Sequence, residues 1–212
     1  MPRPSWSRAL CVGLLIGMLP TLPIHAQEIR SESMLANTCT GCHGTLGASA
    51  GEVMPTIGGM DKGYLLAALT DYKTGRRPST IMGRIMQGYG DQEISAIASF
   101  YAAQSWVSTD RVAVANQFAE APALHERYCE SCHRDGGRSQ DKESPRMAGQ
   151  WAGYLQYAMQ ACRDGERCHP RKMQNRVAEL SDAEIAALAH FYESQKYTAS
   201  RARCSFSSEL DV

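Results

Sequence analysis

No stretch of this chain has the roughly 20 consecutive apolar residues that a bilayer-spanning helix requires. The longest apolar run, Ala9 to Leu19, is about eleven residues. Charge of one sign is also lacking: 22 basic residues face 22 acidic ones, so there is no general cationic excess to hold nucleic acid. No G-x-G-x-x-G follows a strand-like segment, so no dinucleotide or flavin site is visible. There is no nucleophile elbow and no H-E-x-x-H, and no alternating pattern that would make a sheet. Aromatic residues are few, at 8%. What the chain does have in excess is cysteine, eight in all.

The beginning reads as an export signal over residues 1–26. Arg3 and Arg8 precede the short apolar run, and Ile24-His25-Ala26 offers a cleavage site ending in a small residue. Cys11 lies inside the run rather than at a cleavage point, which argues against a lipid anchor. Removal of this segment leaves 20 basic against 22 acidic residues and about 186 residues, enough for one or two domains. Export implies a periplasmic location and no membrane span after cleavage. It also places the remaining cysteines where disulfides persist.

Four of those cysteines fall in two C-x-x-C-H strings: Cys39, Cys42, His43 and Cys129, Cys132, His133. In an exported chain this is the attachment signature of c-type haem rather than a zinc or thioredoxin motif. The spacing has a physical reason. Positions i, i+3 and i+4 share one face of a helical turn, so both sulfurs can reach vinyl groups of one macrocycle while the histidine is directed at its iron. The surroundings of the motif repeat as well. At an offset of 90, Pro55 maps onto Pro145, Gly59 onto Gly149, Tyr64 onto Tyr154 and Gly75 onto Gly165. Beyond Gly75 the offset becomes 91, pairing Met82 with Met173, Ile94 with Ile185 and Tyr101 with Tyr192. Two long copies mean tandem domains rather than a solenoid.

Each copy offers three helical stretches: Ser33 to Cys42, Gly63 to Thr74 and Asp91 to Gln104 in the first; Ala123 to Cys132, Trp151 to Arg163 and Asp182 to Gln195 in the second. Ser181 and Glu184 have capping-box spacing, and Gly75 and Gly165 stand where the middle helices should stop. The expected fold is all-α: two cytochrome c domains, each built around one covalent haem c. The boundaries are 27–105 for the first domain, 106–120 for a linker, 121–200 for the second domain and 201–212 for a tail. A unit of this size is marginal alone, and a covalent haem supplies the apolar filler its thin core lacks.

A sixth iron ligand is expected from Met82 and Met173, the methionine pair in register ahead of the third helix; a thioether raises a haem's potential. Met86 competes in the first copy and His169 in the second. Met34, Met60 and Met159 read as core packing, and His125 and His190 as solvated surface residues. Pro55 and Pro145 each lie twelve residues after their histidine. A proximal imidazole needs its second N–H held, commonly by a carbonyl, and in c-type cytochromes a proline at this place often does so. Cys162, Cys168 and Cys204 have no counterpart in the first copy. One disulfide among the three is expected, with Cys162–Cys168 slightly ahead of pairings to Cys204.

Several stretches are more specific than C-x-x-C-H: Ser79 to Ile85 with Gln87 to Tyr89, Leu124 to His133, and Ala148 to Trp151 continuing through Tyr154 to Met159. Here the chain resembles the dihaem cytochrome subunit of flavocytochrome c sulfide dehydrogenase, from about Met34 to Gln195. The resemblance implies a heterodimer in which an FAD-containing flavoprotein oxidises sulfide and passes electrons to the cytochrome. The cytochrome then hands them to a soluble acceptor such as a small cytochrome c. It also implies His43 with Met82 on one iron and His133 with Met173 on the other. The three extra cysteines depart from the family pattern. Two other readings stand beside this one: a free-standing dihaem carrier to a terminal oxidase, and a dihaem enzyme, which would need one open axial position.

Overall fold

A computed structural model describes residues 31–109, 118–167 and 171–196. Among these residues all regular structure is helical. The first half contains α1 (Glu32–Asn37), α2 (Thr40–His43), α3 (Lys62–Thr74), α4 (Met82–Met86) and α5 (Asp91–Ala102). The second contains α6 (Ala121–Tyr128), α7 (Arg134–Gly137), α8 (Ala152–Arg163), α9 (Arg171–Val177) and α10 (Asp182–Ser194).

The helices begin and end where local chemistry dictates. At α10 the Ser181 hydroxyl accepts from the Glu184 N–H at 3.3 Å, and the Glu184 carboxylate accepts from the Ser181 N–H at 2.8 Å. Two otherwise orphaned donors are thereby satisfied. At α3 the Asp61 carboxylate accepts from the Tyr64 N–H at 2.9 Å. Gly75 (φ 76°) and Gly165 (φ 80°) follow α3 and α8 in the left-handed conformation, which costs a glycine nothing. The helices expected to lead into the two motifs are shorter than anticipated. The first breaks between Asn37 and Thr40, and α6 stops at Tyr128, ahead of the second motif. Short helices α4 and α9 carry Met82 and Met173, where only loops were anticipated.

The two halves pack alike. In the first, α5 rests on α1 and α3, and α4 rests on α3. In the second, α10 rests on α6 and α8, and α9 rests on α8. Equivalent side chains form the two cores: Leu65, Ile97 and Tyr101 in one; Leu155, Leu188 and Tyr192 in the other. The N–H groups of Gly59 and Gly149 each donate to the carbonyl of the equivalent tyrosine, Tyr101 or Tyr192, at 2.8 Å. Met60 and Met159 lie in these cores as anticipated, whereas Met34 is 61% exposed. It sits on α1, beside Leu35, which is the residue turned inward.

The halves meet through residues 49–64 of the first and 140–154 of the second. The Gln150 side chain accepts from the Thr56 N–H and donates to the Thr56 carbonyl, both at 2.9 Å and fully buried. The Gln140 amide does the same between the Asp61 N–H (3.1 Å) and the Gly59 carbonyl (3.0 Å). The Trp151 indole donates to the Ser49 carbonyl at 3.0 Å. A buried amide bonded on both sides is costly to separate, so these contacts hold the halves as one body.

Candidate functional site

In each half the C-x-x-C-H segment makes one helical turn. The N–H groups of Cys42 and His43 point to the Cys39 carbonyl at 3.3 and 3.0 Å; those of Cys132 and His133 point to the Cys129 carbonyl at 3.1 and 2.9 Å. The turn therefore forms even at the second motif, which lies outside any regular helix. It brings both cysteines and the histidine to one side. Cys39 and Cys129 are half-buried, and Cys42 and Cys132 are exposed. Burial pushes the thiols of Cys39 and Cys129 up, which is the opposite of a redox-active or nucleophilic cysteine. Burial likewise pushes the His43 and His133 imidazoles down, keeping them neutral, the form in which a histidine binds a metal.

His43 Nδ1 donates to the Pro55 carbonyl at 2.8 Å, which leaves Nε2 free to face a metal. At His133 the Pro145 carbonyl favours a proton on the ring, but the contact is too loose to be a hydrogen bond, and Nδ1 is buried without a partner. His133 lines a cavity of about 810 Å³ together with Cys129, Cys132, Pro145 and Met173, so the second-copy candidates converge on one space. Its size falls in the usual range for a cofactor site, roughly 300 to 1,000 Å³. The first half also contributes to its wall: Arg77, whose buried Nε lacks a partner, and Tyr64, which accepts from Arg77 at 3.3 Å. A buried imidazole with an unpaired Nδ1 and a guanidinium with an unpaired Nε on one wall fit a group that brings both a metal and carboxylates.

Met82 opens α4 and Met173 is the third residue of α9, and both are half-buried. Met86, the competitor in the first half, is 1% exposed; its counterpart Val177 is a core residue of the second half. Met86 therefore fills a packing position that a valine fills equally well. His169, Cys168 and Cys204 lie outside the described residues, as do residues 1–30 with the export signal. Cys162 is buried in the second core and is disulfide-bonded.

His125 is not the surface residue expected from sequence. It is 6% exposed, with Nδ1 2.7 Å from the Tyr192 hydroxyl and Nε2 2.5 Å from the Glu130 carboxylate. The first copy has Leu35 at this place, so the repeat itself held the signal: a position apolar in one copy points inward in the other. His190 is half-exposed and stacks on Phe118.

Residues 31–103 match the family described as Cytochrome c, and residues 116–191 match Cytochrome C oxidase, cbb3-type, subunit III. Cytochrome c4 of Pseudomonas aeruginosa is 28% identical over 197 residues, covering 85% of this chain and 97% of its own length. This chain belongs to the dihaem c-type cytochromes. It carries two covalently bound haem c groups, one in each half. The fold of the cytochrome is that of reduced recombinant cytochrome c4 from Pseudomonas stutzeri, with a TM-score of 0.70 at 24% identity over 78% of this chain and 96% of that one. The cytochrome subunit of sulfide dehydrogenase from Chlorobaculum tepidum is 46% identical over 74 residues, covering 35% of this chain and 66% of that protein. The cytochrome is an electron-transfer protein, and no helix among its described residues is long and apolar enough to cross a membrane.

Proposed function

We propose that the cytochrome is the electron-accepting subunit of a sulfide-oxidising flavoprotein complex in the periplasm. It takes electrons from an FAD-containing partner, in a heterodimer, and passes them to a soluble acceptor such as a small cytochrome c. The observation that carries this reading is the 46% identity over 74 residues to a sulfide dehydrogenase cytochrome subunit. In this reading Cys39 and Cys42 anchor one haem and Cys129 and Cys132 the other. His43 and Met82 would hold the first iron, and His133 and Met173 the second. The Pro55 carbonyl orients the His43 imidazole, and Pro145 is the second-copy residue placed to do the same for His133.

A c-type haem supplies a one-electron couple between ferrous and ferric iron. The rest is the work of the chain. Neutral, buried His43 and His133 offer ring nitrogens without a proton to displace. Met82 and Met173 would supply a thioether ligand to each iron, which raises a haem's potential. The Gln150 and Gln140 amides hold the halves in fixed register, so little rearranges when an electron moves between them.

A second reading, a free-standing carrier serving a terminal oxidase, is favoured by the likeness to cytochrome c4 over nearly that protein's whole length. Mild purification from the native host followed by a flavin assay separates the two. A copurifying flavoprotein that confers sulfide:acceptor activity supports the first. A flavin-free protein that exchanges electrons with an oxidase supports the second. Turnover of sulfide by this chain alone would sink both.

A further inference from the structure

The mouth of the second cavity differs in kind from the equivalent surface of the first half. On α9, Arg171, Lys172 and Arg176 are all exposed and all line the cavity beside Met173. None of the three has an ion-pair partner among the described residues. Their counterparts around Met82 are Thr80, Ile81 and Ile85, with the two isoleucines 47% and 38% exposed. The first copy thus sets one exposed cation, Arg84, among surface isoleucines beside its methionine, and the second sets three cations there. The charges exceed what the haem itself requires. Arg77, Arg146 and Arg167 also line this cavity, whereas Glu143 is its one acidic residue among the described residues. Two haem carboxylates leave the wall positive. Arg176 and Cys129 line the same cavity, so the cationic rim borders the haem-binding cysteine.

We infer that α9 is the landing surface for a soluble redox protein with an acidic face, and that electrons leave the cytochrome through the second half. The inference rests on the reading of the chain as a donor to a soluble acceptor. One electron passes to an oxidised one-electron carrier, which is reduced while the cytochrome loses that electron. Unpaired surface cations beside an electron exit steer an anionic partner into register and suppress encounters with a cationic one. Steering of this kind acts on the association rate and fades as salt shortens the Debye length from ~30 Å at 0.01 M to ~8 Å at 0.15 M.

The test uses holoprotein with both haems loaded, reduced chemically, so the identity of the natural donor does not enter. Its reoxidation is followed by stopped flow against an acidic type 1 copper protein and against a basic small cytochrome c, across that salt range. The acidic carrier should react faster at low salt, with a rate constant that falls as salt rises. K172E/R176E should slow it about tenfold at low salt and flatten the salt dependence, while accelerating the basic carrier. K172Q/R176Q should give an intermediate loss, and I85E on the first half should leave the salt slope with the acidic carrier unchanged. A salt-independent wild type, or a slope that moves with I85E and not with K172E/R176E, overturns the inference. So does a charge-neutral variant that loses its second haem or shifts that haem's potential with the salt slope intact, for the cations would then serve the haem carboxylates. A cytochrome that reduces neither carrier at any salt instead refutes the donor reading on which the inference rests.

Discussion

The side-chain amide of Gln150 replaces a backbone partner for Thr56, closing a two-bond ring across the two halves at 2.9 Å on each side. Gln150 is 0% and Thr56 1% exposed, so neither Thr56 group finds water if the amide is removed. Each buried polar group left unpaired costs about 1–3 kcal/mol. Gln150→Ala should therefore destabilise the cytochrome by about 2–4 kcal/mol, lowering the thermal midpoint by roughly 5–15 °C in calorimetry. The haem content of freshly purified protein should stay at two, because neither residue touches a haem-binding cysteine.

The methionines separate by what each is asked to do. Met82→Ala and Met173→Ala should each remove the methionine-to-iron absorption band of one haem and lower that haem's potential, since a thioether ligand raises it. Met86→Ala should leave both bands in place and cost about 2–5 kcal/mol as a core truncation at a 1% exposed site. Loss of a band in Met86→Ala, with Met82→Ala silent, would reverse the first-half assignment.

Much of this architecture was legible because the chain contains its own comparison. The offsets of 90 and 91 locate equivalent helices, and the paired Met82 and Met173 stand out only because the second copy repeats the first. The helix stops at Gly75 and Gly165 and the cap at Ser181 follow from local rules, and all three are present. What was not legible depends on non-local packing. Gln150 reads as a polar loop residue, and only the approach of Thr56, 94 residues away, makes it a buried staple. His125 reads as surface because a histidine is polar, yet Tyr192 and Glu130 satisfy both its nitrogens inside the fold. Met34 reads as core because it is apolar, but α1 is a single short helix whose buried residues are its neighbours Leu35 and Ala36.

Cys162 carries a prediction about thiols. It is disulfide-bonded and buried, and it has no equivalent in the first half. Alkylation of the unreduced mature protein should label a single thiol among Cys162, Cys168 and Cys204, with peptide mapping placing Cys162 in the bridge. We expect Cys168 as its partner, because the two flank the turn at Gly165. Such a short loop removes little unfolded-state entropy, so Cys162→Ser should cost at the lower end of the ~2–4 kcal/mol typical of native bridges. Three labelled thiols would rule the bridge out, and a Cys162–Cys204 peptide would reassign the partner.

Acid should weaken the second half through Glu130. Its carboxylate accepts from the His125 ring, 2.5 Å away, and from the Asp135 N–H at 3.2 Å. The His125 hydrogen bond, followed by the backbone bond from Asp135, holds its pKa below the ordinary 4.5. A group whose pKa is lower folded than unfolded binds its proton more tightly in the unfolded chain. Its contribution is therefore whole above pH 4.5 and is lost as pH falls through the folded value. Glu130→Gln keeps the shape but removes this titration. Denaturant unfolding of the holoprotein at a series of pH values should show a shallower loss of stability below pH 4.5 in Glu130→Gln than in the wild type. Above that pH the variant should be the less stable of the two, since a charged acceptor beside His125 has been exchanged for a neutral one. Parallel curves for the two proteins through the acid range would mean that the His125–Glu130 contact contributes nothing to folding.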